Sequence, residues 1–368
     1  MPLGQLILAS GEASSDMRYA AGFSTPDEFI WFSAGSCRGV VMSALEYNRA
    51  HCSAAPGVRV FSEEEWGGPD RLTMLGNIAS KYGLSGFSVP GDFPLKWADR
   101  LRNAGLVVKA EEGPFFPERE TKSEEEAEKI VHSLRQAEAG CRRAFAVLRE
   151  TEIARDKTLL WRGKPLTSEL LRFEIDSTMM KSGMLAEGTI CAGGEQGSRP
   201  HEQGSGILRA DVPIVMDIFP RSAATGYWGD LTRTVVRGNP SDIVKKAYDA
   251  VLDARETAKR KLAAGVIPSA VHDEAVRVLE KYGFHTGRGE KGDYGFFHGL
   301  GHGVGLDIHE APRLSRRCDD PLKVGAVVTV EPGLYYPEWG GIRLEDMVYI
   351  DASGAPRCLT QIEDFLVL

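Results

Sequence analysis

The stretch HGLGHGVGLDIHEAP, residues 298–312, sets histidines at 298, 302 and 309 among glycines at 299, 301, 303 and 305. Three of the chain's eight histidines therefore fall within twelve positions, a density that a solvated glycine loop does not require. Around this run lie four carboxylates at or beside strand-like segments. Asp217 ends PIVMD, Asp230 opens DLTRTVV, Glu331 closes VVTVE ahead of Pro-Gly, and Glu345 follows GGIRL. A carboxylate at the end of a buried strand is costly unless it is paired or bound to a metal. Two divalent ions held close together repel each other, so a pair needs several anionic oxygens, some of them shared. One histidine, His302, among four carboxylates suits Mn, Co, Fe or Zn better than a structural zinc, and two-metal sites of this kind usually hydrolyse.

The rest of the composition narrows the class. A chain of 368 residues with 42% hydrophobic content can bury a sizeable core and divide into two domains. The net charge of −8 is spread without a long basic block, which argues against nucleic acid as the partner. The opening MPLGQLILASGEASSD lacks the basic start and longer apolar core of a signal peptide, and no apolar run reaches membrane-spanning length. A cytoplasmic protein without a membrane partner is expected. The cysteines at 37, 52, 141, 191, 318 and 358 form no CxxC pair and are read as free thiols.

Organisation follows from punctuation and period. The apolar runs QLILAS, EFIWFSAG, RGVVMSAL, GVRVF, GFSVPG and LVVKAEE, with helices expected at 70–82 and 94–104, read as a small α/β domain over residues 1–118. Pro114 and Pro117 mark a boundary, and Ser123 with Glu126 forms a capping box that opens a second domain, residues 119–368. Its helices are expected at 123–151, 167–181, 241–264 and 269–282, with Met179 and Met180 as core filler. Its strands are expected in TICAGG, DVPIVMDIFP, GYWGDLTRTVVRG, VGAVVTVEPGLYYP, GGIRLEDMVYI and DFLVL, and a hairpin through PRSAATGY would bring Asp217 and Asp230 together. The class is α/β (α+β).

The residues together resemble the two-domain Xaa-Pro peptidases, the prolidases and Xaa-Pro aminopeptidases of the pita-bread fold that methionine aminopeptidase shares. DIFP...GYWGDLTRT resembles the family's paired-aspartate segment, HGLGHGVGLDIHE its histidine segment, VTVEPGLY its first glutamate segment and GIRLEDMV its last, in the family's order. ASSDMRYAAGFSTPDEFIWF resembles the smaller creatinase/prolidase domain, which methionine aminopeptidases lack. One departure is visible: the usual DxG after the first ligand is DIFP here, and the stretch to the second aspartate is longer.

The resemblance implies two divalent ions, Mn before Co or Zn. Asp217 would hold one, His302 and Glu331 the other, and Asp230 and Glu345 both. It implies that Glu331 accepts the proton of a shared water. His201 would bind substrate or stabilise the intermediate, His309 would hydrogen-bond the substrate carbonyl or leaving nitrogen, and His298 would line the proline pocket and assist proton transfer. Arg313 resembles the arginine that some prolidases use for a substrate carboxylate, which would favour dipeptides; the other reading is a surface arginine beside Arg316 and Arg317. Arg343 would pair with a ligand carboxylate or orient substrate. The expected partner is a proline-containing dipeptide or peptide, and a homodimer is the family's common state. The competing readings are a creatinase-like carbon–nitrogen hydrolase without metal and a non-catalytic pita-bread binding protein.

Overall fold

The computed structural model describes residues 1–368, which fall into two compact units, Met1–Glu118 and Arg119–Leu368. The first unit is built on a six-stranded sheet in the order Val58–Ser62, Cys37–Met42, Phe29–Ala34, Leu3–Ala9, Gly86–Val89, Val107–Ala110. The central pairings are antiparallel and the outer ones include parallel pairs. Alternation along the strands sends Leu6, Leu8, Ile30 and Phe32 into one core and Ile7, Phe29 and Trp31 into another, so both faces of the sheet are covered. The helix Arg71–Lys81 closes the first face with Met74, Leu75 and Ile78, and Asp70 caps it by accepting from the Thr73 amide. The helix Leu95–Asn103 follows the expected span. Two short helices, Ser15–Ala21 and Tyr47–Ser53, were not anticipated. Seven residues are too few to show the helical period.

In the second unit the capping box forms as read: the Ser123 hydroxyl accepts from the Glu126 amide, and the Glu126 carboxylate accepts from the Ser123 amide. The helix it starts, Glu124–Arg149, packs on Ser168–Met180. Gly140 marks the close approach, because a Cβ there would lie 3.0 Å from Ile175 Cγ2. The methionine pair divides: Met179 is 0% exposed and Met180 is 63% exposed. Neighbours on a helix point about 100° apart, so only one of them can face the partner helix. A second pair, Asp242–Lys261 and Pro268–Lys281, lays Ala247, Val251, Ala254, Val271 and Val278 against Val328, Val330, Ile342 and Val348 in one core. The last helix begins at Pro268, whose fixed φ and missing N–H suit the first helical position.

The strands depart from the sequence reading in three ways that shape the site. Pro213–Ile218 and Leu231–Val236 pair antiparallel in a three-stranded sheet with Ile190–Gly193. Their connection is not a tight hairpin, because Arg221–Ser222 leaves to pair with Met184–Leu185. The two long runs near the C-terminus each break. Val327–Val330 and Asp346–Ile350 belong to a five-stranded sheet, whereas Gly333–Tyr336 and Gly340–Arg343 form a separate two-stranded ladder. DFLVL supplies only an isolated parallel bridge, Val236 to Val367, rather than a strand.

Candidate metal centre

The ladder break explains why two distant glutamates meet. One ladder ends at the pair Val330 and Asp346, and the next begins at Gly333 and Arg343. Glu331 and Glu345 thus occupy the same interruption on facing strands. The three-stranded sheet delivers the next group. Asp217 stands directly opposite Ile190 on one side and Thr232 on the other, and residues directly opposite share a face. Thr232 Oγ1 donates to Glu345 Oε2 at 2.8 Å, which ties this sheet to the break. Asp230 lies just ahead of Leu231 and is buried.

His302 sits in Gly301–Gly303, opposite Arg313 of Glu310–Leu314. The glycines around it have no positive φ; they are there for space. A Cβ at Gly301 would lie 2.0 Å from Thr329 O, and one at Gly303 would lie 2.3 Å from Ala311 O. His302 Nδ1 lies 3.2 Å from Gly303 O, which only accepts, so Nδ1 carries a proton and Nε2 is the atom turned to the carboxylates. Nε2 is 3.2 Å from Glu331 Oε1 and 3.6 Å from Asp230 Oδ2. Single ligand atoms of Asp230, His302 and Glu345 all lie within 4.8 Å of one another.

The electrostatics are those of a site short of positive charge. Burial, reinforced by Asp217, pushes Asp230 well above the usual carboxylate range. Burial and the Asp230 charge do the same to Glu345. Asp217 is also raised by burial, against the opposing pull of Arg343, whose Nη2 donates to Asp217 Oδ2 at 2.7 Å. Glu331 differs: burial would raise it, but the hydrogen bond and charge of His302 hold it down at about 2. His302 itself is raised, Glu331 and Asp230 together outweighing the burial that would lower it. Asp217 Oδ1 and Glu345 Oε1 are buried without a hydrogen-bond partner. Four carboxylates against one arginine and one histidine, two of their oxygens lacking donors, are the donor set that divalent cations fit.

All ten residues singled out from the sequence line one cavity of about 1030 Å³: Asp217, Asp230, His302, Glu331, Glu345, His201, His298, His309, Arg313 and Arg343. His298 is committed at both nitrogens. Its Nδ1 donates to Gly299 O at 2.7 Å and its Nε2 faces the Tyr335 hydroxyl at 2.9 Å. The His309 ring stands edge-on to His302, centroids 4.3 Å apart, and desolvation with the His302 charge lowers it to about 4. Arg343 is buried, its guanidinium shared among Asp217, Tyr335, Thr232 and the Pro200 carbonyl, whereas Arg313 is exposed at the cavity wall. The sequence reading missed Tyr335, Thr232 and Thr329. Tyr335 links His298 to Arg343, and Thr329 Oγ1 accepts from the His302 amide and donates to Glu331. Only their closeness to ligand segments, Tyr335 four residues after Glu331 and Thr329 two before it, could have drawn attention to them.

Comparison with known proteins matches residues 128–352 to metallopeptidase family M24. The Xaa-Pro dipeptidase of Pyrococcus furiosus is 40% identical over 177 residues, 48% of this chain and 47% of that protein. A Bacillus subtilis protein described as an uncharacterized peptidase is 39% identical over 179 residues, 49% of this chain and 48% of its own. The chain thus spans about half the length of the curated relatives it matches. Among solved structures, an X-Pro aminopeptidase from Thermotoga maritima MSB8 superposes with a TM-score of 0.83 at 25% identity, covering 100% of this chain and 98% of that one. A Xaa-Pro dipeptidase from Bacillus anthracis gives 0.84 at 22% identity, covering 99% and 95%, a likeness of fold. The expected two-domain pita-bread architecture is therefore the one observed. With the family match spanning more than half of its length, the chain belongs to metallopeptidase family M24.

Proposed function

We propose that this protein is a dinuclear-metal hydrolase that cleaves the peptide bond before proline, as an Xaa-Pro dipeptidase or aminopeptidase. The observation that carries the reading is the set of buried, mutually repelling carboxylates around His302, two of whose oxygens have no donor. Asp217 would hold one ion, His302 Nε2 and Glu331 the other, and Asp230 and Glu345 both, with manganese placed before cobalt and zinc. The ions would supply a water that ionises near neutral pH and positive charge for a developing oxyanion.

The chain's own residues do the rest. Glu331, which accepts from Thr329 Oγ1 and lies beside His302 Nε2, is assigned to take up the nucleophile's proton. His309, lowered to about 4, is neutral at pH 7 and offers an N–H to the substrate carbonyl without adding charge beside the centre. His298, with both nitrogens engaged, serves as a fixed ring on the cavity wall beside Phe297. His201 lines the same cavity from the segment 197–204 and is assigned to the substrate. Arg343 holds Asp217. Arg313, on the same face as His302 by register, is assigned to a substrate carboxylate, which favours dipeptides.

The test is to strip the protein with chelator, add Mn, Co or Zn singly, and compare a Gly-Pro dipeptide with an X-Pro-X-X peptide. Metal-dependent release from either is expected, and turnover of neither refutes the reading. Glu331→Gln should abolish hydrolysis, and undiminished activity with metal bound would remove Glu331 as proton acceptor. Arg313→Ala should raise KM for the dipeptide and leave that for the longer peptide unchanged.

A further inference from the structure

Next to His309 lies a cluster of charges that lines no part of the cavity. The Lys122 side chain is 2% exposed, and its Nζ lies 2.5 Å from Glu310 Oε1. Glu310, 10% exposed, receives on its other oxygen Arg119 Nη2 at 2.8 Å and the Asp307 amide at 3.2 Å. Arg119 Nη2 also reaches Asp307 Oδ2 at 2.7 Å. Gly305 is the glycine this arrangement needs, since a Cβ there would lie 2.2 Å from Glu310 Oε1. The same loop is held from its other side by Trp228, whose amide donates to Gly305 O at 2.9 Å and whose Nε1 donates to Leu306 O at 3.1 Å. Lys122 is anchored in turn, its amide donating to Gly325 O at 2.6 Å and its carbonyl accepting from the Tyr349 hydroxyl.

A buried ammonium and carboxylate are expensive to desolvate, and apolar residues of like volume would commonly stabilise a fold as well. What ions add is direction: in its observed orientation Glu310 sets one oxygen in ion-pair range of Lys122 while the other accepts from Arg119 and the Asp307 amide, and Glu310 is covalently next to His309. We propose that Lys122, Arg119 and Glu310 are positioning residues that lock the loop 304–310 so that the His309 ring stays edge-on to His302 in the cavity. The inference rests on the reading of that cavity as a peptidase site, with His309 touching substrate.

Lys122→Met keeps an unbranched side chain, shorter by one atom, and removes its charge. With manganese-loaded protein, kcat on Gly-Pro should fall about 10-fold or more, as for a misplaced catalytic group, while KM and the manganese affinity measured by calorimetry hold. Lys122→Arg should restore most of the rate. Added to His309→Ala, Lys122→Met should cause no further loss, because the group it positions is gone. Multiplying losses, or a parallel fall in manganese affinity, would overturn the proposal. Arg119→Gln, at a less buried position, should repeat the pattern and stands in if Lys122→Met does not fold. Hydrogen exchange gives a readout independent of activity: amides of 304–310 should exchange faster in either variant, and unchanged exchange there overturns the proposal even if the wild type cleaves no Xaa-Pro peptide. That last outcome alone would sink the proposed function.

Discussion

Glu345→Gln should make the metal-free protein more stable while weakening its hold on metal. In the wild type Glu345 Oε1 is buried with no donor, and the Asp230 carboxylate adds to the burial that raises Glu345. Glutamine keeps an oxygen to accept from Thr232 Oγ1 and replaces the orphaned oxygen with an N–H₂ that can donate to the neighbouring carboxylates. Leaving a buried polar group unsatisfied costs about 1–3 kcal/mol, and that is the gain expected on removing it. For a domain of this size each kcal/mol moves Tm by about 2–4 °C, so the variant in EDTA should melt roughly 2–12 °C above the wild type. With manganese the order should reverse. A ligand at about 1,000 times its Kd adds about 4 kcal/mol, and the variant should lose most of that. Thermal melts of both proteins in EDTA and across a manganese titration decide the matter. If metal-free Glu345→Gln melts at or below the wild type, the carboxylates are not in conflict and the electrostatic argument for metal fails.

Three other outcomes follow from the same geometry. Arg343→Met should destabilise the metal-free protein by about 3–5 kcal/mol in urea unfolding, since it leaves buried Asp217 without its cation; a change below 1 kcal/mol would show that Asp217 does not depend on the pair. Metal loading should release protons, because Asp230, Glu345 and His302 are all raised in the metal-free protein and must deprotonate to ligate. Calorimetry of manganese binding at pH 7 in buffers of different ionisation enthalpy should show a heat that varies with buffer, and a buffer-independent heat would contradict it. His272, lowered to about 4 by burial and by Arg316, stays neutral where the unfolded chain takes up a proton. Stability should therefore be lost as pH falls from about 6.5 and level off below about 4. His272→Gln should show a flatter midpoint across that window than the wild type, and parallel profiles would refute the assignment.

The parts of this molecule that were legible in its sequence are those decided locally. Ser123 with Glu126 announced its helix because a cap is made with an amide three residues on, and Asp70 and Thr167 cap theirs in the same local way. The ligand types were legible because each stands in a distinctive short context. What was hidden depends on partners far along the chain. VVTVEPGLYY and GIRLEDMVYI read as unbroken strands, with only Pro332 hinting that each divides between two ladders. Met180 differs from Met179 only by the step of about 100° between neighbours around the helix axis. Lys122 looked like any lysine ahead of a helix, since the carboxylate that buries it is Glu310, on a loop that reaches it only in the fold.

The matched break that seats Glu331 and Glu345 also acts as a ruler. The chain between them goes out along Gly333–Tyr336 and back along Gly340–Arg343, so the two glutamates are the two ends of one hairpin. Lengthening its turn at 337–339 leaves both ends in place, and so does adding residues to the two strands in matched pairs. A single residue inserted into one strand shifts the register by one and turns one glutamate to the opposite face while leaving the other. The two strands of the hairpin are thus free to change length only in matched pairs, whereas its turn carries no such constraint and can change without moving the centre it leads back to.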